Sequence, residues 1–132
     1  MAGLSKPVAR PLSPHLQVYR FSWTMAMSIV HRITGCALAG GTVLIACWLM
    51  ASASGPGAYS TAQWLAGSWF GQLALLGYTW ALLHHMLGGI RHFIWDTGAG
   101  LERDTRLLLA KGTLVGSVIG TVLIWIVALL MR

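Results

Sequence analysis

Residues 33–90 read ITGCALAGGTVLIACWLMASASGPGAYSTAQWLAGSWFGQLALLGYTWALLHHMLGGI, and this stretch of 58 residues contains no Asp, Glu, Lys or Arg. One membrane-spanning helix needs about 20 apolar residues, so the stretch is long enough for two spans and a turn. The whole chain of 132 residues is 56% hydrophobic and only 9% charged. Ordinary soluble domains carry about 25% charged residues. The sequence therefore predicts an integral membrane protein.

The segment SASGPGAYS, residues 52–60, divides the charge-free stretch, because Gly-Pro-Gly interrupts a helix and small polar residues solvate the exposed backbone. A third uncharged run, Gly112 to Met131, is also long enough to cross a bilayer. We therefore predict an all-α fold whose membrane domain, residues 22–132, contains three transmembrane helices. The expected helices lie near residues 22–51, 62–92 and 108–131.

Residues 1–21 contain three prolines but lack the apolar core and small-residue cleavage site of a secretory signal. They also lack the Arg- and Ser-rich amphipathic pattern of an organelle transit peptide. We expect an extended, interfacial amino-terminal segment with no cleaved leader. This composition favours a bacterial inner-membrane protein, or a mitochondrial inner-membrane protein in its mature form.

Basic residues predict the orientation of the chain, since they concentrate in cytoplasmic loops. The first predicted turn has none, whereas the amino-terminal tail and the second loop are basic, through Lys6, Arg10, Arg20, Arg91, Arg103, Arg106 and Lys111. We expect the amino terminus and the second loop to be cytoplasmic. The net charge of +6 indicates topology and attraction to anionic lipid rather than binding of nucleic acid.

One face of the predicted second helix combines small residues with imidazoles. At 3.6 residues per turn this face contains Gly77, Ala81, His85, Gly88 and His92. Such a stripe leaves a groove into which a flat macrocycle would fit, with a nitrogen ligand inside it. The alternative is a helix-packing surface whose histidine hydrogen-bonds to a neighbouring helix.

The predicted first helix carries a second polar cluster, Ser28, His31 and Arg32, on one face near its cytoplasmic end. A hydroxyl, an imidazole and a guanidinium together suit a quinone carbonyl or a haem propionate. Two alternatives remain: Arg32 snorkels to the interface, and Ser28 bonds back to its own helix. The two clusters are expected at a similar depth in the membrane.

Three further stretches carry a resemblance to a known family: RPLSPHLQVY (10–19), SIVHRITG (28–35) and HMLGGIRHFIWD (85–96). The third fits the pattern H-x3-G-I-R-H-x-x-W-D. Together they span about two-thirds of the chain in the expected order, and the chain resembles the cytochrome b556 subunits of succinate dehydrogenase, the larger membrane anchor of respiratory complex II.

The resemblance implies that His85 is the axial ligand to the iron of haem b, with the second ligand supplied by a partner subunit. It also implies that Ser28 and Arg32 bind ubiquinone and that His31 and Arg32 contact haem propionates. His92 is open between a propionate or quinone contact and a cap at the helix end. His84 is not expected to be the ligand, because neighbours on a helix point about 100° apart and only His85 lies on the glycine face.

The implied complex is a succinate:quinone oxidoreductase in which this chain has no complete active site and no catalytic residue of its own. The implied partners are a second small membrane anchor that completes the helical bundle, an iron-sulfur subunit, a flavoprotein subunit and membrane lipids. Two alternatives remain open: an anchor of a quinol-oxidising fumarate reductase, and a haem-free assembly anchor.

Remaining expectations concern the second loop and the third span. Arg91 and Asp96 are expected to face a soluble partner or each other, and Trp95 to lie at the interface. Gly112, Gly116 and Gly120 form a GxxxGxxxG surface that predicts close helix contact.

Overall fold

The computed structural model describes residues 20–131, and within this range it consists of four helices. They are α1 (Trp23–Ala53), α2 (Pro56–Gly67), α3 (Trp69–Asp96) and α4 (Arg103–Leu130). The all-α prediction is confirmed, because all four of these elements are helices. Three of them, α1, α3 and α4, are each long and apolar enough to cross a membrane. Most of the predicted amino-terminal segment, residues 1–19, lies outside the described residues.

The connection between the first two spans differs from the predicted turn, because it contains the helix α2. Gly55 adopts a φ of +116°, which glycine reaches without steric cost, and Pro56 then begins α2 at a position that suits its fixed φ. The Gly-Pro pair ends one helix and also starts the next. With 12 residues, α2 is too short to span a bilayer, so three spans remain.

The second span starts at Trp69 rather than near residue 62, because Ser68 separates α2 from α3. Its extended backbone ends α2, and its hydroxyl accepts a hydrogen bond from the backbone N–H of Gly71 at 3.1 Å. A Cβ at Gly71 would overlap the carbonyl of Leu65, so only glycine fits this corner. Hydropathy does not reveal the break, since apolar residues continue across it.

The third span begins at Arg103, five residues earlier than predicted. Glu102 is its N-cap and Asp104 lies in its first turn, where acidic groups stabilise the helix dipole. The charged residues expected in a loop, from Arg103 to Arg106, therefore form the exposed start of α4. Gly98 and Gly100, both with positive φ, make the short connection from α3.

The interior of the bundle is small and polar. Only three apolar side chains are buried among the described residues, namely Met27, Ala81 and Ala110. Six buried residues are polar or charged: Thr34, His84, Arg91, Thr113, Ser117 and Thr121. Large apolar side chains instead cover the outside, as expected where lipid is the solvent and helices associate through close packing.

The helix α3 packs against α1 on one side and α4 on the other. On the α4 side, leucines of α3 lie against the predicted glycine surface: Cβ atoms at Gly116 and Gly120 would lie 3.2 and 3.1 Å from the Cδ1 atoms of Leu87 and Leu83. Close contact is therefore confirmed at these two glycines. At Gly112 a Cβ would have no neighbour within 4 Å among the described residues, so the contact predicted there stays a prediction.

Candidate functional site

The histidines of α1 and α3 meet between the two helices. The rings of His31 and His85 stack with their centroids 4.1 Å apart and an interplanar angle of 5°. Glycines make the space, because a Cβ at Gly88 would overlap the His31 ring and one at Gly35 would lie 3.1 Å from Cε1 of His85. The predicted small-residue face of α3 and the predicted polar cluster of α1 thus contribute to one site.

The orientation of the His85 ring is fixed through its Nδ1 atom. Nδ1 lies 3.1 Å from the carbonyl oxygen of His31 and 3.3 Å from Oγ1 of Thr34. Thr34 directs its own hydroxyl proton to the same carbonyl at 2.9 Å. Since a carbonyl only accepts, Nδ1 of His85 carries the ring proton. The lone pair of the neutral ring is then on Nε2.

This arrangement has the features of a metal-ligating histidine. Such residues commonly donate one ring N–H to a backbone carbonyl, which fixes the tautomer and increases the basicity of the other nitrogen. The residues present therefore fit a haem group, whose iron Nε2 of His85 would bind. Thr34 helps to hold the His85 ring, although sequence analysis did not single it out. Its spacing of three residues from His31 places it on the same face of α1 and could have indicated this role.

A cavity of about 190 Å³ adjoins His31 at the end of the bundle. Four of its lining residues are predicted site residues: Ser28, His31, Arg32 and His92. Three more were not assigned to a binding site from the sequence: Thr24, Arg91 and Trp95. The lining contains two guanidinium groups, two imidazoles and two hydroxyls, and no carboxylate. Its chemistry suits a carboxylate or a carbonyl oxygen.

Arg91 is buried at this site rather than exposed to a partner. It is 5% exposed, its Cζ lies 5.1 Å from the centre of the Trp95 ring, and its Nε has no hydrogen-bond partner among the described residues. Trp95 is held in turn by a 3.1 Å hydrogen bond from Nε1 to the carbonyl of Gly100. Arg91 therefore stacks on Trp95, which lies four residues further along α3, and not against Asp96 as expected.

His92 lines the cavity from the exposed side of α3. Its ring centroid lies 5.5 Å from that of His31 and 5.2 Å from the Trp95 ring, which it meets edge to face. The end of α3 is capped by Thr97, whose hydroxyl donates to the carbonyl of Ile94 at 2.7 Å. This geometry favours the contact role of His92 over the capping role.

His84 points towards α4, whereas His85 points towards α1. It is fully buried against α4, with Nδ1 3.3 Å from Oγ of Ser117 and its ring 5.1 Å from that of Trp80. These two interactions connect His84 to α4 and to its own helix. Neither involves α1 or a residue that lines the cavity. Its separation from the His31–His85 stack agrees with the angular difference expected between helical neighbours.

The fold and the site define an integral membrane protein with a histidine- and arginine-lined site at one end of its bundle. Residues 6–124 match the family described as succinate dehydrogenase/fumarate reductase transmembrane subunit, and the chain belongs to this family. The predicted resemblance is therefore confirmed.

Individual relatives are similar over most of the chain. The succinate dehydrogenase cytochrome b556 subunit of Paracoccus denitrificans is 48% identical over 118 residues, which cover 89% of this chain and 91% of the relative. That of Rickettsia felis is 31% identical over 117 residues, with the same coverage of both chains. The mitochondrial cytochrome b560 subunit of Sus scrofa is 41% identical over 97 residues, covering 70% of this chain and 56% of the relative.

Proposed function

We propose that this chain is the haem b- and ubiquinone-binding membrane anchor of a succinate dehydrogenase complex. His85 ligates the haem iron, His31, Arg32 and His92 bind its propionates, and Ser28 and Arg32 bind the quinone. The observation that carries the proposal is the 3.1 Å contact between Nδ1 of His85 and the carbonyl oxygen of His31, because a proton on Nδ1 leaves the lone pair of Nε2 available to a metal.

The cation-lined cavity supports the assignment of the propionates. A carboxylate in a low-dielectric environment needs cationic hydrogen-bond donors, and a guanidinium can donate two parallel hydrogen bonds to it. Arg32 and Arg91 both line the cavity, and His31 joins it to the ring of His85. Arg91 extends the set of propionate-binding residues beyond those expected from the sequence.

The same cavity supports binding of the quinone head group. Reduction of a quinone to a quinol consumes two electrons and two protons, so the site must be near water. Arg32 donates a hydrogen bond that stabilises negative charge on one carbonyl oxygen, and the Ser28 hydroxyl donates to the quinone or to the proton route. Both side chains are exposed at the surface of this chain, where a neighbouring subunit can complete the site.

Haem b, when bound, supplies a one-electron redox centre whose potential depends on its ligands and its burial. Among residues 20–131, one histidine is available as such a ligand, because His31 is assigned to a propionate and His92 is two turns from His85 on the same helix, so it does not reach the opposite face of a macrocycle. The second ligand comes from a second small membrane anchor. An iron-sulfur subunit and a flavoprotein subunit complete the complex.

In the membrane, the amino terminus and the connection between α3 and α4 face the cytoplasm of a bacterium, or the equivalent side of the mitochondrial inner membrane. The positive charges of the second loop and of the start of α4 support this orientation. The cavity then lies on the side where the soluble subunits and water are present.

The test is a reduced-minus-oxidised absorption spectrum of the intact purified complex. We expect a b-type spectrum that is lost in His85→Ala and kept in His84→Asn, a matched control that removes the neighbouring imidazole. A complex without a b-type spectrum would support a haem-free anchor and overturn the proposal. Loss in His84→Asn with retention in His85→Ala would also overturn it, because the ligand would then be His84.

The direction of the reaction separates the proposal from its closest alternative, an anchor of a quinol-oxidising fumarate reductase. Rates of succinate oxidation with ubiquinone and of fumarate reduction with low-potential quinols should be compared on the same complex. We expect the first rate to be the greater.

A further inference from the structure

The pair formed by His84 and Ser117 is unexplained by the proposed site. Both residues are fully buried between α3 and α4, away from His31 and the cavity. Ser117 directs its hydroxyl proton to the carbonyl of Leu114 at 2.8 Å, so its oxygen is left as an acceptor. Nδ1 of His84 therefore carries the ring proton and donates to Ser117.

Stability alone does not account for this histidine. Its other nitrogen, Nε2, is buried and has no hydrogen-bond partner among the described residues. A buried polar atom without a partner is unfavourable, and an apolar side chain of similar volume would fill the space without one. The side chain therefore has a role that depends on the directed bond from Nδ1.

The surroundings show what that bond adds. On either side of it, Leu83 and Leu87 pack against Gly120 and Gly116, which fixes how far α3 slides along α4. Apolar packing of this kind is weakly directional, whereas a hydrogen bond constrains the rotation of α3 about its own axis. The 3.3 Å contact to Ser117 is therefore a directional element of this interface, together with the 3.3 Å hydrogen bond that Nε1 of Trp125 in α4 donates to Oγ1 of Thr79, five residues before His84 in α3.

The next residue along α3 is His85, which points about 100° away, towards α1. A rotation of α3 that broke the bond from His84 would turn His85 by the same angle. We propose that His84 is a positioning residue: its bond to Ser117, one turn closer to the ligand than the Trp125–Thr79 bond, sets the rotation of α3 next to His85 and thereby the direction of Nε2 of His85. This inference rests on the proposed role of His85 as the haem ligand.

Side-chain amides allow the bond to be tested. The amide nitrogen of Asn occupies the position of Nδ1 in histidine, and that of Gln occupies the position of Nε2. His84→Asn therefore keeps the donor to Ser117, whereas His84→Gln displaces it. On the other side of the interface, Ser117→Ala removes the acceptor with little change in volume.

The measurement is the electron paramagnetic resonance spectrum of the ferric haem in the purified complex. Its largest g value responds to the orientation of axial imidazole planes and does not depend on turnover. We expect the wild-type g value in His84→Asn. A shifted g value, with haem released roughly tenfold faster, is expected in His84→Gln and Ser117→Ala, the scale typical for loss of a supporting hydrogen bond at a metal site.

Thr121→Val is the matched control, because Thr121 is a buried hydroxyl on the same face of α4 that bonds to the carbonyl of Ser117 within its own helix. Its g value should match the wild type. Unchanged g values in Ser117→Ala and His84→Gln would overturn the inference, as would equal shifts in His84→Asn and His84→Gln. Retention of haem in His85→Ala would instead refute the proposed function, so the two failures are distinguishable.

Discussion

Substitution of Gly88 by alanine tests the closest approach between α1 and α3. A Cβ at this position would overlap Nδ1 of His31 and lie 2.7 Å from its Cε1 and 3.4 Å from its Cγ. Carbon atoms in ordinary contact are about 3.5 Å apart or more, and Nδ1 lies nearer than Cε1, so the ring or the helix must move by more than about 0.8 Å. The affected ring is the one that stacks on His85.

The expected magnitude follows from this overlap. Overpacking of a well-packed interior costs about 1–3 kcal/mol, which corresponds to a change of roughly 5- to 140-fold in an equilibrium constant. Gly89 supplies the matched control, because a Cβ there would meet nothing within 4 Å. Gly89→Ala should therefore stay within about 1 kcal/mol of the wild type, the range of helix propensity alone.

The assay is the thermal release of haem from the complex in lipid nanodiscs, followed by its b-type absorbance. We expect Gly88→Ala to release haem at a lower temperature and Gly89→Ala to behave like the wild type. In a His31→Ala background the effect of Gly88→Ala should largely disappear, since the clashing ring is absent. Equal behaviour of the two alanine variants, or an undiminished effect in the His31→Ala background, would refute the reasoning.

Two further predictions concern the quinone and the topology. Arg32→Lys should lower kcat/KM for ubiquinone about tenfold, because lysine keeps the charge but loses the forked donor. The control Arg103→Lys, at the exposed start of α4, should have no effect. Unchanged turnover in an assembled Arg32→Lys complex would contradict the assignment of Arg32 to the quinone. The orientation is tested by maleimide labelling after both native cysteines have been replaced by alanine. Ser54→Cys should react with an impermeant maleimide added to intact cells, and Glu102→Cys should react only in inverted vesicles. The opposite pattern would show that the connection between α3 and α4 is not cytoplasmic.

The residues that sequence analysis grouped correctly are those whose grouping depends on one helix. Ser28, His31 and Arg32 share a face because of their spacing, and the structure brings all three to one cavity. Likewise, the angle between His84 and His85 follows from helical geometry and holds in the structure. Such relations are local, so they survive without knowledge of the packing.

The features that sequence analysis missed depend on contacts between distant residues or on single backbone positions. The burial of Arg91 requires the Trp95 ring and the neighbouring helices, and a charge near a helix end is equally compatible with an exposed position. The partner of His84 lies 33 residues further along the chain. The break at Ser68 depends on one extended residue within an apolar stretch. Hydrophobic periodicity is read over many residues, so it does not reveal a change in the backbone at one of them.

The polar interior of this bundle has a consequence for how the sequence can change. In a water-soluble protein, large apolar residues inside are constrained and small surface residues vary freely. Here a leucine facing lipid can be exchanged for valine, isoleucine or phenylalanine at little cost, whereas one additional methyl group at Gly35, Gly41 or Gly88 meets an aromatic ring. During evolution, substitutions should therefore be rare at these three glycines and frequent at the large apolar residues that face lipid.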